Sequence, residues 1–119
     1  MPQIRVIVSM TAASAQDADE LIRQRVAICE QVEAEEEGCL QYEVFRSSMR
    51  PERYMLVELW ADKAVFDKHA KRVRKEAGAS SVPKPKSNVE MYQVQHYAKL
   101  DGVWQAADPD DRMDAIRWY

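Results

Sequence analysis

Two segments with helical spacing of apolar residues each follow a strand-like run, and this alternation most constrains the fold. Residues 4–10, IRVIVSM, are rich in valine and isoleucine and are typical of a buried strand. In residues 21–32 the apolar side chains recur every three or four positions, which predicts an amphipathic helix with one buried face. Residues 63–77, KAVFDKHAKRVRKEA, repeat that pattern and predict a second helix.

Three further runs complete the predicted sheet. Residues 39–47, CLQYEVFRS, and 54–60, YMLVELW, are separated by a short turn around Pro51, so they predict a hairpin. Residues 89–97, VEMYQVQHY, predict the last strand. The order is therefore β-α-β-β-α-β. This is an α+β arrangement of the ferredoxin-like type, in which a four-stranded antiparallel sheet carries two helices on one face.

Local signals place the ends of both helices. Ser14 or Asp17 can cap the first helix at its N-terminus, because a short polar side chain there accepts a backbone N–H. Gly38 follows that helix and suits the left-handed conformation that often terminates one. Asp62 is the predicted N-cap of the second helix.

The strand 54–60 carries large apolar residues on both faces. One set is Tyr54, Leu56 and Trp60 with Glu58, and the other is Met55, Val57 and Leu59. Helices cover only one face in the predicted arrangement, so the other needs a cover of its own. A homodimer that packs sheet against sheet is the simplest solution.

Residues 1–97 form the predicted domain, and residues 98–119 form a C-terminal tail. The tail contains an aspartate-rich start with Pro109 at the first helical position, which predicts a short helix. It also carries Trp104 and Trp118, and this much aromatic surface favours docking on its own or the partner subunit.

Composition excludes several functions. The chain has 119 residues and a net charge of −3, which argues against binding a nucleic-acid backbone. No apolar run is long enough to span a membrane, so a cytoplasmic location is expected. Three glycines cannot build a dinucleotide fingerprint or a P-loop. Two cysteines and two histidines show no metal-ligand spacing, so no metal site is expected.

Candidate functional side chains gather where the strand 54–60 runs into the second helix. His69 lies about two turns after Asp62, roughly 10 Å along the helix, and is expected above Glu58 and Leu56 if the helix runs back over the sheet. Trp60 shares the strand face of Glu58. An imidazole that titrates near neutral pH, a carboxylate and an indole that can stack on a ring make this corner the candidate site.

Each of these residues also has a purely structural interpretation. A partly buried histidine that hydrogen-bonds a neighbour is common, and Trp60 and Tyr42 suit a core equally well. Glu58 can be a buried carboxylate paired with a cation or an amide. His96, on the last strand, is expected to be structural or to lie at the dimer seam.

The segments EEGCLQYEVFRS and ERYMLVELWAD, with the histidine of the following helix, resemble the antibiotic biosynthesis monooxygenase family. The shared pattern reads Glu-x-Gly-x-x-x-Tyr-x-Val, then Glu-x-Trp, then a helical histidine. In this chain it comprises Glu36, Gly38, Tyr42, Val44, Glu58, Trp60 and His69. The resemblance covers about residues 3–97 and leaves out the tail.

The resemblance implies a dimeric α/β barrel and an oxygenase without metal or flavin, in which a phenol or hydroquinone itself reduces oxygen. His69, Trp60 and Glu58 are then the expected catalytic residues. The expected substrate-binding residues are Tyr42, Leu56, Phe66 and Ser9. Haem is disfavoured, because the haem-degrading branch has an asparagine on its first strand where this chain offers only Ser9.

Two alternatives stay open at this point. The first is a non-catalytic barrel that binds a small molecule, or haem through His69. The second is a non-oxidative isomerase that uses the same histidine as its base. The expected partners are a small aromatic substrate for the oxygenase and a second copy of the chain, and the binding alternative takes a hydrophobic metabolite or haem.

Overall fold

The computed structural model describes residues 3–79 and 89–106. Its seven elements are β1 (Ile4–Ala12), α1 (Ala15–Glu35), β2 (Cys39–Arg46), β3 (Arg53–Trp60), α2 (Lys63–Ala79), β4 (Val89–Leu100) and β5 (Val103–Ala106). The predicted order and the α+β class are confirmed, and β5 is an additional strand. Both predicted helices and all four predicted strands are present.

All strand pairs in the sheet are antiparallel, in the order β2-β3-β1-β4-β5. The first strand is therefore central, and β2 lies at an edge. Val6 of β1 stands opposite Glu58 of β3 on one side and His96 of β4 on the other. Paired residues share a sheet face, so this register brings an acidic side chain and an imidazole to the same face as a valine.

The core lies between that face and the two helices. On β1 the alternate residues Ile4, Val6, Val8 and Met10 are all buried, as the period of two along a strand requires. The helices contribute apolar side chains to the same layer, namely Ala18, Cys29, Val32, Phe66 and Ala70. Burying a side chain the size of Val32 or Phe66 stabilises a fold by about 1.5–3 kcal/mol.

Capping residues define the ends of α1. The Ser14 hydroxyl accepts a hydrogen bond from the Asp17 backbone N–H at 3.0 Å. Of the two predicted N-cap candidates, Ser14 and Asp17, the structure therefore selects Ser14. At the other end the Glu36 backbone N–H bonds the Val32 carbonyl at 2.9 Å. Gly38 follows with φ +86°, which confirms the predicted left-handed glycine.

The turn after α1 lies directly against the start of α2. A Cβ atom on Gly38 would be 2.8 Å from the methyl groups of Val65, so only glycine fits there. The Gly38 carbonyl accepts the Ala61 N–H at 2.8 Å. The Val65 N–H donates to the Asp62 carboxylate at 2.9 Å, which confirms Asp62 as the N-cap of α2.

Neither helix is long and apolar enough to cross a membrane, as judged over the residues that the structure describes. The cytoplasmic location stays a prediction.

The second face of the sheet carries a different set of side chains. Ile7, Val57 and Leu59 are half-buried there, while Phe45 and Met55 are exposed. They alternate with the core residues on their strands and pair across them, Ile7 with Val57 and Phe45 with Met55. We call these five residues the open face.

The additional strand begins in the segment that the sequence assigned to the tail. β4 continues to Leu100, three residues beyond its predicted end, and Asp101 and Gly102 then turn with φ of 51° and 79°. Two positive φ values at an Asp-Gly pair form a tight hairpin turn of the type I′ family. Trp104 of β5 packs beside Arg5, whose guanidinium lies 5.5 Å from the indole centroid. The predicted helix from Asp108 lies outside the described residues, and the docking of the remaining tail stays a prediction.

Candidate active site

The candidate site begins at the end of β3. Glu58 and Trp60 are two residues apart, so both side chains point toward the helices, and both are fully buried. The Trp60 indole N–H donates to the Glu58 carboxylate at 3.0 Å. A buried carboxylate needs such donors, because its transfer from water is costly otherwise.

His69 joins this pair from α2. Its imidazole is 1% exposed and lies 4.5 Å from the Trp60 ring, measured between centroids, with an interplanar angle of 32°. Its Nε2 atom is 3.8 Å from Glu58 Oε1. The structure therefore brings together the three side chains that the sequence proposed as catalytic residues.

Glu36 completes the group, and the sequence-based list of site residues missed it. Both of its carboxylate oxygens lie close to His69 Nδ1, at 2.9 and 3.0 Å. An ionised carboxylate only accepts hydrogen bonds, so this contact assigns a proton to Nδ1. Arg72 Nη1 lies 3.3 Å from the second oxygen of Glu36.

The signal that could have found Glu36 was already in the sequence. The residue belongs to the Glu-x-Gly pattern that carries the family resemblance, yet no local periodicity links the end of α1 to a histidine 33 positions later. We call Glu36, Glu58, Trp60, His69 and Arg72 the imidazole cluster.

Aromatic rings surround the imidazole. Tyr42 meets His69 edge to face at 5.4 Å between centroids and meets Trp60 at 6.2 Å. The Phe66 ring lies 6.2 Å from the Trp60 ring between centroids, at an interplanar angle of 56°. Such edge-to-face and tilted contacts add roughly 0.5–1.5 kcal/mol per pair beyond simple burial. Tyr42 and Phe66, both expected to bind substrate, thus line the cluster.

Tyr42 keeps its hydroxyl proton in this environment. Burial of its ring and, next in size, the unfavourable interaction with Glu58 hold the pKa of Tyr42 well above its usual value. The hydroxyl can therefore donate a hydrogen bond, and it does not act as a base at neutral pH. This limits the choice of base in the cluster to the imidazole and the carboxylates.

The two other expected substrate-binding residues differ in position. Leu56 is buried on the same face of β3 as Glu58 and Trp60. Ser9 is also buried, but it pairs with Met55 and so points to the open face. The sheet separates Ser9 from His69, and the structure does not bring it to the imidazole cluster.

His96 occupies the interior. It is 6% exposed and meets Phe66 edge to face at 5.6 Å between centroids. Since it pairs with Val6, it lies on the helix-covered face and away from the open face. His96 therefore lies inside the fold, and whether its role is structural stays a prediction.

Side-chain exposure falls steadily along the cluster. It is 35% at Arg72, 13% at Glu36, 1% at His69 and 0% at Glu58. The groups thus run from the surface inward with a cation first, then a carboxylate, an imidazole and a second carboxylate. A proton on His69 is balanced by a carboxylate on either side, which is the arrangement that makes a buried charge tolerable.

A cavity lies apart from the imidazole cluster. It has a volume of about 220 Å³ and opens at the turn end of the β2–β3 hairpin, lined by Phe45, Arg46, Ser47, Arg53, Tyr54 and Met55. None of these residues belongs to the imidazole cluster. Among the residues described, no three histidine, cysteine or acidic side chains are arranged to hold a metal ion.

The fold and the cluster together define a ferredoxin-like α+β protein with an imidazole held between carboxylates and aromatic rings. A family model described as antibiotic biosynthesis monooxygenase matches residues 3–77, which is more than half of the chain. The chain therefore belongs to the antibiotic biosynthesis monooxygenase family and is monooxygenase-like at that level of description. The whole imidazole cluster lies within the matched residues.

Solved structures share the fold. A protein from Shewanella oneidensis is 28% identical, with a TM-score of 0.64 over 82% of this chain and 90% of that one. A dimeric ferredoxin-like protein from an uncultured marine organism is 14% identical, with a TM-score of 0.69 over 82% and 95%. A proposed antibiotic biosynthesis monooxygenase from Deinococcus radiodurans is 20% identical, with a TM-score of 0.58 over 79% and 89%. No curated protein matches the chain.

Proposed function

We propose that this protein is a cofactor-independent monooxygenase that oxidises a small phenolic or hydroquinone-type aromatic substrate with molecular oxygen. The observation that carries the proposal is the Glu36–His69 pair packed against Trp60, inside the region that the family model matches. A carboxylate bound to one imidazole nitrogen is a common way to orient a histidine base.

The first proposed step is a proton transfer. His69 Nε2 takes the proton of the substrate hydroxyl, so an O–H bond breaks and an N–H bond forms. The resulting imidazolium lies between Glu36 and Glu58, whose carboxylates stabilise its charge. Glu36 therefore makes the base effective, and Glu58 becomes a second group able to hold the proton.

The second step is the oxidation itself. The phenolate is electron-rich and supplies all the electrons that oxygen needs. One oxygen atom becomes bonded to a ring carbon, and the other leaves as water, so that a phenol and O₂ give a quinone and water. No external reductant enters this balance. The protein contributes binding, a base and the exclusion of water from the reacting atoms.

The aromatic side chains suit a planar substrate. Trp60, Phe66 and Leu56 offer apolar walls, and Tyr42 offers a hydroxyl that remains a donor. This hydroxyl can hydrogen-bond a substrate oxygen as negative charge develops on it. The residues named here all lie on the helix-covered face, so Ser9 is not part of the proposed site.

A substrate reaches His69 only if side chains move, because His69 and Trp60 are at most 1% exposed. Tyr42 lies on β2, the edge strand of the sheet, so it has a neighbouring strand on one side only. We propose that rotation of Tyr42 opens the cluster to the substrate. The closed arrangement then keeps water out before and during oxidation.

We also propose that the protein acts as a homodimer through the open face, in the cytoplasm. Ile7, Val57, Leu59, Phe45 and Met55 form an apolar surface that water solvates poorly. A solved protein with the same fold is described as dimeric, which supports this arrangement. Two sheets that pack face to face give the α/β barrel that the family resemblance implies.

Oxygen consumption tests the proposed chemistry. Purified protein is mixed with a panel of one- to three-ring phenols and hydroquinones, and oxygen uptake and quinone formation are followed together. We expect at least one substrate to consume one O₂ per quinone formed without releasing hydrogen peroxide, because the second oxygen atom leaves as water, and we expect His69→Ala to abolish this. The matched control is His96→Gln, which removes the other buried histidine and should keep the activity. No turnover across the panel would count against the monooxygenase.

One observation favours an isomerase as the second candidate. Glu58 Oε1 and His69 Nε2 lie 3.8 Å apart. Two groups that can each take up or release a proton are therefore adjacent, which suits the transfer of a proton from one substrate atom to another. Reaction under nitrogen separates the two functions, because an isomerase keeps its full rate without oxygen. A Soret band on haem titration that His69→Ala removes would instead support the haem-binding alternative.

A further inference from the structure

We propose that Glu36 is a positioning residue that holds His69 with its proton on Nδ1, so that Nε2 is the nitrogen that accepts the substrate proton. This inference rests on the proposed function, in which His69 is the base. Glu36 touches no reacting atom in this scheme. It acts through the imidazole, by choosing which ring nitrogen carries the hydrogen in the neutral form.

The backbone holds Glu36 firmly in place. Glu36 is the C-cap residue of α1, with extended backbone angles of −94° and 110°, and its N–H bonds the Val32 carbonyl. Two positions later Gly38 packs against Val65 and bonds Ala61. The turn that carries Glu36 is thus attached to the first turn of α2, the same helix that carries His69. The carboxylate and the imidazole therefore keep a fixed separation.

Arg72 holds the other side of the carboxylate. Its guanidinium lies 3.3 Å from Glu36 Oε2, one turn along α2 from His69. Both oxygens of Glu36 contact His69 Nδ1, at 2.9 and 3.0 Å, and the second also contacts Arg72. This fixes the plane of the carboxylate as well as its position. Arg72 also supplies the positive charge that balances Glu36 while His69 is neutral.

The choice of nitrogen decides whether His69 can serve as the base. An unconstrained neutral imidazole prefers the proton on Nε2, the nitrogen that faces Glu58. In that form the Nδ1 lone pair would point at the Glu36 carboxylate, which is electrostatically unfavourable. With the proton on Nδ1, the Glu36 carboxylate accepts a hydrogen bond at 2.9 Å, and the Nε2 lone pair faces the more distant Glu58 Oε1 at 3.8 Å. Glu36 therefore selects the form of the imidazole that can take a proton.

Nitrogen NMR tests this directly, because a ring nitrogen with a hydrogen and one with a lone pair differ strongly in ¹⁵N shift. The full chain is labelled with ¹⁵N-histidine and measured at a pH where the imidazole is neutral. His69 and His96 are the only histidines, and His96→Gln assigns the two sets of signals. We expect His69 to be protonated on Nδ1 in the wild type and on Nε2 in Glu36→Ala. A wild-type His69 protonated on Nε2 would overturn the proposal without any variant.

Kinetics provide the second readout. Glu36→Ala should lower kcat by about 100-fold, the range of a misdirected general base, with KM changed less than about two-fold. Glu37→Ala removes the same charge from the next, exposed residue and should change neither constant. If Glu36→Ala changed kcat and KM by the same factor and kept the proton on Nδ1, the positioning role would be overturned. If no substrate is oxidised at all, the proposed function fails, while the NMR result still decides whether Glu36 sets the imidazole.

Discussion

The two faces of the sheet distribute polarity in opposite ways. The face beneath the helices buries two histidines and the carboxylate of Glu58, while the open face leaves Phe45 and Met55 exposed. A buried polar group and an exposed apolar patch are both informative, because each is costly unless something compensates for it. Inside, compensation comes from neighbours such as Glu36. Outside, the proposed dimer would supply it. The contrast agrees with the proposal that chemistry belongs to one face and association to the other.

The largest expected effect removes the ring at the centre of the helix-covered face. Trp60→Ala should destabilise the protein by about 3–5 kcal/mol, because it leaves a cavity beside His69 and removes a donor to Glu58. Urea unfolding followed by circular dichroism measures this. The control is Trp104→Ala in β5, where the indole is 39% exposed and a loss below about 1 kcal/mol is expected. Similar losses in the free energy of unfolding for the two variants would show that burial of the ring does not determine how much it stabilises the protein.

Gly38→Ala tests how the imidazole cluster is held. We expect a loss of about 2 kcal/mol or more, from the left-handed backbone and from the contact of the new Cβ with Val65. Gly102→Ala is a matched control, because Gly102 has a similar φ of +79° but no atom within 4 Å of the added Cβ. The difference between the two variants isolates the contact with α2. Equal values would mean that Val65 yields and that the turn is not fixed against the helix.

The open face is tested by a charge that leaves the core untouched. Val57→Lys places an ammonium group in the middle of that face and should convert a dimer into a monomer, with a change of less than about 1 kcal/mol in the folding of each chain. Light scattering after size-exclusion chromatography measures the mass. Gln24→Lys on the exposed side of α1 is the control and should leave the mass unchanged. A monomeric wild-type protein would show that the open face needs another cover.

The smallest expected effect concerns a core thiol. Burial raises the pKa of Cys29 to about 11, above the 9.0 of an exposed thiol. As the pH rises, the unfolded chain loses the thiol proton before the folded protein does. The free energy of unfolding therefore keeps its full value below pH 9 and falls as the pH rises to 11. Between pH 8 and 11 the free energy of unfolding should fall less in Cys29→Ala than in the wild type, by on the order of 1 kcal/mol. Urea unfolding across this pH range measures the difference. An unchanged pH dependence would mean that water reaches the thiol in the folded protein.

Local patterns were sufficient to predict most of the fold. The period of two in β3, the apolar stripe of α2 and the caps Ser14 and Asp62 are all encoded within a few residues of where they act. The meeting of Trp60 with His69 was also predictable, because strand direction and helical rise place them one above the other. These inferences need only regular geometry.

Contacts between distant segments were harder to predict. The bond from Glu36 to His69 depends on how the turn after α1 seats on α2, which no periodicity describes. Ser9 was expected near the substrate by analogy with a position on the first strand, whereas its pairing with Met55 turns it to the open face. The fifth strand had a local signal, the Asp101-Gly102 turn, but the segment was assigned to a separate tail.

All members of the imidazole cluster lie in the continuous stretch 36–72, which contains β2, β3 and most of α2. The remaining elements serve as a platform for this stretch: β1 lines one side of it, and β4 with β5 extends the sheet away from it. The site is therefore modular in sequence. The stretch could be exchanged as one cassette between related chains, but Phe45, Met55, Val57 and Leu59 of the open face would move with it, and only Ile7 would stay from the recipient. Chimaeras of this kind therefore exchange the candidate site together with most of the open face.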